Sequence, residues 1–340
     1  MNAILGLVLV VLLSAPVAAP ESPSSRTPVL TTPHFAFFSD FDTNLNDALI
    51  EAGRSRKGGK AELFKSGAET GCFGELAPSA RAGWNGAVDY YAEIVSPADW
   101  TDKQQYLIRV QLAGFEEELT SEKDREYVEI VQGMRAAAAP AYRACRWSAQ
   151  DAKNRRWIEE LKPLLSAHED RIASRLAELY EKPWAGLPIP VDVVEVVNWA
   201  GANSILRDGG GGHLLISSGD GGNVALETVF HEASHTFMAR GDPVRVALEN
   251  AASKAGVTLP RDLWHVVLLY TTGEVVRAVL AEAGQRGYTM MVYGIFDRGG
   301  GWTEYRSALE NAWRPYVDGK ASLPEAAANL IDAIRTSKKP

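Results

Sequence analysis

The pattern His231-Glu-Ala-Ser-His235 constrains this chain more than any other feature of its sequence. It lies in a mostly apolar segment, and neither Pro nor Gly occurs between Val224 and Arg240, so we expect a buried helix there. Positions i and i+4 of a helix lie on one face. The two imidazoles can therefore converge on one metal ion, about 2.0–2.1 Å from each ring nitrogen.

Glu232 follows His231 directly, and the helix rotates it by about 100° from that histidine. Its carboxylate is expected beside a bound metal rather than on it, where it can take a proton from a metal-bound water. The pattern thus predicts one Zn²⁺ per chain, with Glu232 as a catalytic base. The alternative is a surface helix with two solvated histidines, which the apolar neighbours Phe230 and Phe237 disfavour.

The segment from Glu227 to Phe237 resembles the active-site helix of the zincin metallopeptidases, which carry His-Glu-x-x-His. The glycine-bounded strand predicted at His213–Ser217 is similar to the edge strand on which those enzymes bind substrate. No third His follows His235 at the metzincin spacing, so the resemblance is to the gluzincin type and to uncharacterised exported bacterial members. It implies a metallopeptidase that hydrolyses peptide bonds in a peptide or protein substrate.

Gluzincins take their third ligand from a second helix, and Glu274 is the carboxylate that the resemblance assigns to this role. It lies in an otherwise apolar run, where a lone carboxylate needs a partner. Gly273 would let the two helices approach closely, and Arg277 would hold the carboxylate or a substrate terminus. His265 and Glu249 remain rival third ligands.

A hydrolase of this kind also needs a donor for the developing oxyanion. Tyr288 and Tyr293 follow the Glu274 helix and are the candidates, although a tyrosine in such a position is more often a packed aromatic residue. A group of aromatic residues near helical spacing is expected in the core rather than in a subsite wall: Trp302, Tyr305, Trp313 and Tyr316. For His213, a structural role is expected rather than one in the cleft.

The N-terminus predicts export. An apolar run, Ala3–Leu13, precedes Val17-Ala-Ala19, which is typical of a signal peptide spanning residues 1–19, and a Pro/Ser-rich linker follows over residues 20–32. We expect a periplasmic or secreted chain without stable membrane insertion, an uncleaved anchor being the alternative. Cys72 and Cys145 then predict one disulfide, with two buried free thiols as the alternative.

The predicted fold class is α+β. Residues 33–185 read as a mainly helical region, and residues 186–340 as a zincin-like catalytic region with a small sheet and the active-site helix. The formal net charge of -8 and the pI near 5.4 argue against a nucleic-acid partner. No sequence signal predicts an oligomeric state.

Two other functions fit the same residues. One is a zinc hydrolase acting on a non-peptide amide, and the other is a non-catalytic binding protein that retains the zinc helix. An intact Glu232 favours catalysis, because a binding protein needs the metal ligands but not the base.

Overall fold

The computed structural model describes residues 26–58, 67–97, 102–184, 186–197, 201–207, 211–299 and 301–337. The predicted signal peptide and residues 20–25 of the predicted linker lie outside these residues. The strands are β1 (Leu30–Thr31), β2 (Phe35–Phe38), β3 (Ile189–Val194), β4 (Ala202–Leu206) and β5 (Gly212–Ser217). The first helices are α1 (Phe41–Lys57), α2 (Gly67–Glu75), α3 (Pro78–Tyr90), α4 (Lys103–Ala113), α5 (Glu122–Tyr142) and α6 (Ser148–Leu179). The later helices are α7 (Gly222–Ser234), α8 (Pro243–Lys254), α9 (Leu263–Glu282), α10 (Met291–Asp297), α11 (Arg306–Ala308), α12 (Arg314–Val317) and α13 (Leu323–Ser337).

The strands form one mixed sheet in the order β1-β2-β3-β5-β4. Strands β2, β3 and β5 are parallel, while β1 and β4 pair antiparallel with their neighbours. The predicted α+β class is therefore confirmed. The expectation that His213–Ser217 forms the sheet edge is wrong, because β5 lies between β3 and β4. The short strand β4 pairs back onto β5 and takes the edge.

Helices cover both faces of this sheet. Val191 and Val193 of β3 and Ile216 of β5 belong to the main core, together with apolar residues of α6, α7 and α9. On the opposite face, Val194 and Leu215 pack with apolar residues of α4 and α5. Successive side chains of a strand point to opposite faces of the sheet, so the nearly continuous apolar sequences of β3 and β5 supply residues to the cores on both faces.

The regions before and after residue 185 share this core. Strand β2 comes from the first region and pairs along β3 of the second, with Phe35 opposite Ile189. Helix α6 contributes Ile158 and Leu165 to the cluster that contains α7 and α9. The helical region thus completes the sheet and backs the helix that carries His231.

Helix α9 is buried along almost its whole length and packs against α7. It is long and apolar enough to cross a membrane, yet 78% of its most apolar window is buried inside the protein. The Oγ1 of Thr272 donates to the Oγ of Ser234, 3.1 Å away, and so joins the two helices. A Cβ on Gly273 would lie 3.0 Å from an oxygen of Glu227, so the glycine permits the close approach expected from the sequence.

Cys72 and Cys145 form a disulfide in the structure, and their sulfurs are 2.06 Å apart. The bond joins α2 to the π turn that continues α5. Arg146, beside Cys145, also pairs with Glu69 of α2 at 3.2 Å. These contacts fix α2 to the rest of the helical layer.

Candidate metal centre

Three histidines converge between α7 and α9. His231 lies on α7 and His235 begins the 3₁₀ turn that continues it, so the helix ends earlier than the expected Arg240, yet the two rings still lie one turn apart with centroids separated by 5.1 Å. His265, in the first turn of α9, brings its ring centroid within 5.0 Å of that of His235. One ring nitrogen from each of the three side chains lies within 4.8 Å of the others.

The spacing of these nitrogens suits a metal ion. The Nε2 atoms of His265 and His231 are 3.4 Å apart. Two ligands about 2.0–2.1 Å from a tetrahedral zinc ion are about 3.3–3.4 Å from each other. The remaining nitrogen separations are no more than 4.8 Å, so the three imidazoles can serve one ion and leave a fourth position for water or substrate.

The surroundings keep these imidazoles neutral, which is the form that binds metal. Burial lowers the pKa of His235 to about 3 and that of His265 to about 4. Burial, followed by the proximity of the other two rings, also holds the pKa of His231 well below its ordinary value. Nδ1 of His231 has no hydrogen-bond partner among the described residues.

Glu232 lies beside this cluster, with its Oε1 3.9 Å from Nε2 of His231. The carboxyl group is buried, and burial raises its pKa to about 8, although a hydrogen bond with the Ser204 side chain opposes this rise. A bound cation nearby would favour the carboxylate form. The group therefore has the position and basicity of a proton acceptor.

Ser204 reaches Glu232 because β4 runs along α7. The N–H of Arg207 donates to the C=O of Gly211, and the C=O of Gly201 accepts from the N–H of Ser217, so the alternation of an antiparallel pair turns the N–H and C=O of Ser204 away from β5. Its side chain faces α7, while its backbone faces the outer edge of the sheet. Sequence reasoning missed Ser204 because residues 202–206 carry no clear strand pattern.

The structure does not bring Glu274, the expected third ligand, to the two histidines. It lies nine positions beyond His265 on α9, about 13.5 Å further along the helix axis. Its buried carboxylate accepts hydrogen bonds from Arg277 at 2.9 and 2.5 Å and lies 3.3 Å from Arg314. Arginines are thus the partner that this lone carboxylate needs, and His265, the rival candidate, is the residue that lies with the two histidines.

Glu249 is also absent from the cluster. It lies on α8, where its half-exposed carboxylate is 3.9 Å from Arg245. The signal for His265 was present in the sequence, since it begins the apolar run that contains Glu274. Which of His265 and Glu274 lies next to the two histidines depends on how α7 and α9 are positioned relative to each other.

The two candidate oxyanion donors are engaged elsewhere. The hydroxyl of Tyr288 donates to Glu227 at 2.6 Å, one turn before His231 on α7. Tyr293 bonds to Glu310, and the guanidinium of Arg306 lies 4.8 Å from its ring centroid. The structure therefore does not place either hydroxyl among the three histidines.

Aromatic rings surround His265. Trp264 stacks on it with centroids 5.2 Å apart, and Trp302 meets it edge-on at the same distance. Trp302 is partly exposed, whereas the other three members of the predicted aromatic group are buried, as expected for core residues: Tyr305, Trp313 and Tyr316. Trp302 packs against the main core without being fully buried, so the expected core role holds for it in part.

His213 has the structural role expected of it. It is buried, and its Nε2 lies 3.0 Å from Oδ2 of Asp192 on the neighbouring strand β3. Arg26 donates to both oxygens of the same carboxylate at 3.0 Å. Burial alone would raise the pKa of Asp192, but His213 and Arg26 outweigh it and lower that pKa.

Comparisons of this chain with family models, with curated proteins and with solved structures found no match. The resemblance to zincins therefore depends on the residues from Glu227 to Phe237 and on their surroundings.

Proposed function

We propose that this chain is a zinc-dependent hydrolase in which His231, His235 and His265 hold one metal ion and Glu232 is the base. The observation that carries the proposal is the convergence of three histidine nitrogens within 4.8 Å, beside a buried carboxylate. Three neutral imidazoles are the ligand set of several catalytic zinc sites, which leave one coordination position open. Such an ion, when bound, acidifies a water molecule and polarises a carbonyl group.

Glu232 accepts the proton of the attacking water in this proposal and later delivers it to the leaving group. The Ser204 hydroxyl restrains the carboxylate that does so. Because this hydrogen bond comes from β4 rather than from α7, it keeps the carboxylate in one orientation during proton transfer, and a fixed orientation favours a faster reaction.

The proposed substrate is a peptide, as the zincin resemblance implies. Strand β4 supports this choice, since no further strand pairs with its outer edge among the described residues. An extended peptide can add to such an edge through main-chain hydrogen bonds. Ser204 would then present its backbone to the substrate and its side chain to the base.

Metal content tests the site directly. Elemental analysis of the purified chain should find about one zinc, and His265→Ala should lose it. Glu274→Gln and Glu249→Gln should both retain it, because the structure places these carboxylates away from the histidines. Zinc loss in Glu274→Gln with retention in His265→Ala would overturn the three-histidine assignment.

Activity then tests the chemistry. The zinc-loaded chain is assayed on a panel of peptides and on acylated amines, with Glu232→Gln as the matched variant. We expect peptide hydrolysis to fall by at least about 100-fold in Glu232→Gln at unchanged zinc content. A function that persists undiminished in this variant would contradict hydrolysis, and cleavage restricted to acylated amines would contradict a peptide substrate.

A further inference from the structure

Trp302 stands apart from the other aromatic residues near the C-terminus. Trp313 is fully buried, and its indole N–H donates to Thr271 at 2.9 Å. Trp302 is partly exposed and follows α10, and its ring meets His265 edge-on, with centroids 5.2 Å apart and planes at 84°. A large ring is thus held partly open to solvent directly against one member of the histidine cluster.

Trp264 contacts the same cluster in a different way. Its ring stacks on His265, meets His235 at 5.8 Å, and lies 5.0 Å from the guanidinium of Arg245. Like Trp302 it is partly exposed, but it contacts two of the three histidines and a cation, so Trp264 is suited to holding the histidines in place. It provides a matched control for Trp302.

Because the Trp302 ring contacts His265, it is one residue removed from any group bound between the three histidine nitrogens. The exposed part of an indole prefers apolar and aromatic partners, which it meets edge-to-face or in offset stacks. Pockets that bind small groups are commonly lined by such rings, together with a few polar groups that fix orientation. At this centre, the histidines and Glu232 would supply the polar part.

We infer that Trp302 forms one wall of a binding subsite that takes an aromatic or large apolar side chain next to the metal. This inference depends on the proposed function, since it places the bond to be cleaved at the histidine cluster. The inferred substrates are then peptides that carry an aromatic or large apolar side chain next to the peptide bond that is cleaved.

Two chelators that differ only in their side arm provide the test. Acetohydroxamate and 3-phenylpropanohydroxamate carry the same metal-binding group, and their affinities for the zinc-loaded chain can be measured by calorimetry without turnover. We expect the phenyl compound to bind at least about tenfold more tightly to the wild type. In Trp302→Ala this ratio should fall to about threefold or less.

Trp302→Leu keeps an apolar side chain and supplies a second variant if the alanine variant folds poorly. It should retain part of the preference. Trp264→Phe should weaken both chelators by a similar factor, because it disturbs the ligands rather than the subsite.

The outcomes separate the two proposals. A chain that binds zinc but shows equal affinity for both chelators, or an unchanged ratio in Trp302→Ala and Trp302→Leu, overturns the subsite and leaves the metal centre standing. A chain that binds no zinc overturns the metal centre, and the subsite falls with it.

Discussion

The Nε2 atoms of His265 and His231 lie 3.4 Å apart, although 34 positions separate the two residues in the chain. Nothing in either helix alone requires this approach. It arises because α7 and α9 pack closely, with Thr272 bonded to Ser234 and Gly273 facing Glu227. The histidine cluster is thus a product of helix packing.

Zinc should stabilise the folded chain. A ligand present at about 100 times its dissociation constant adds about 2.7 kcal/mol to the free energy of unfolding. Thermal denaturation followed by circular dichroism should therefore show a Tm higher by a few degrees with zinc than with a chelator. The rise should vanish in His265→Ala. It should persist in His34→Ala, whose ring pairs with Asp170 on α6; loss of the rise there would point to another zinc site.

Glu274→Gln should lower stability without removing zinc. The buried carboxylate is held by Arg277 and Arg314, and its loss leaves both arginines without their main partner. Since both remain about one-third exposed, we expect a cost of about 1–3 kcal/mol in urea denaturation. Glu282→Gln removes a carboxylate that also faces two arginines but is half exposed, and should cost less than about 1 kcal/mol. Equal costs would contradict this account.

Glu227 should make stability fall as the pH rises. Burial is the main cause that raises its pKa from 4.5 to about 7, with a smaller contribution from Glu274. Between these pH values the folded chain retains a proton that the unfolded chain has released, so the stability present below pH 4.5 is progressively lost up to pH 7 and above. The full loss is at most roughly 3 kcal/mol.

Glu227→Gln cannot ionise and should lose this part of the pH dependence. An amide oxygen at the position of Oε2 can still accept hydrogen bonds from Tyr288 and from the backbone N–H of Met291. Urea denaturation of the metal-free chain at pH 5 and pH 8 measures the effect. The free energy of unfolding of the variant, relative to that of the wild type, should be higher at pH 8 than at pH 5. The half-exposed Glu249→Gln is the control. If the difference in free energy of unfolding between variant and wild type is the same at pH 5 and pH 8, Glu227 is not protonated in the folded chain.

Gly273→Ala should crowd the contact that α9 makes with Glu227 of α7 and with Met290. The added Cβ would lie 3.0 Å from Oε1 of Glu227 and 3.0 Å from Sδ of Met290, closer than ordinary contacts. We expect a loss of about 1–3 kcal/mol in the free energy of unfolding, and weaker zinc binding because His265 moves with α9. Gly86→Ala, in an exposed part of α3 with nothing within 4 Å, should instead add about 0.5–1 kcal/mol. Similar losses in both variants would indicate that helix contact is not the cause.

Local sequence determined the parts of the site that depend on one helix. The convergence of His231 with His235 and the position of Glu232 follow from the i and i+4 geometry of the helical segment from Val224 to His235, which has neither Pro nor Gly. The α+β class followed in the same way, from apolar periodicity along the chain. These are short-range properties, so residues close in sequence were enough to predict them.

Tertiary structure decided the rest. His265 and Glu274 lie on the same apolar helix, and which of them meets α7 at the histidines depends on where along their axes the two helices cross. The assignment of the sheet edge to β4 depends likewise on which strand pairs on the far side of β5. Such relationships join residues far apart in sequence, and periodicity in one element carries no information about its position relative to another.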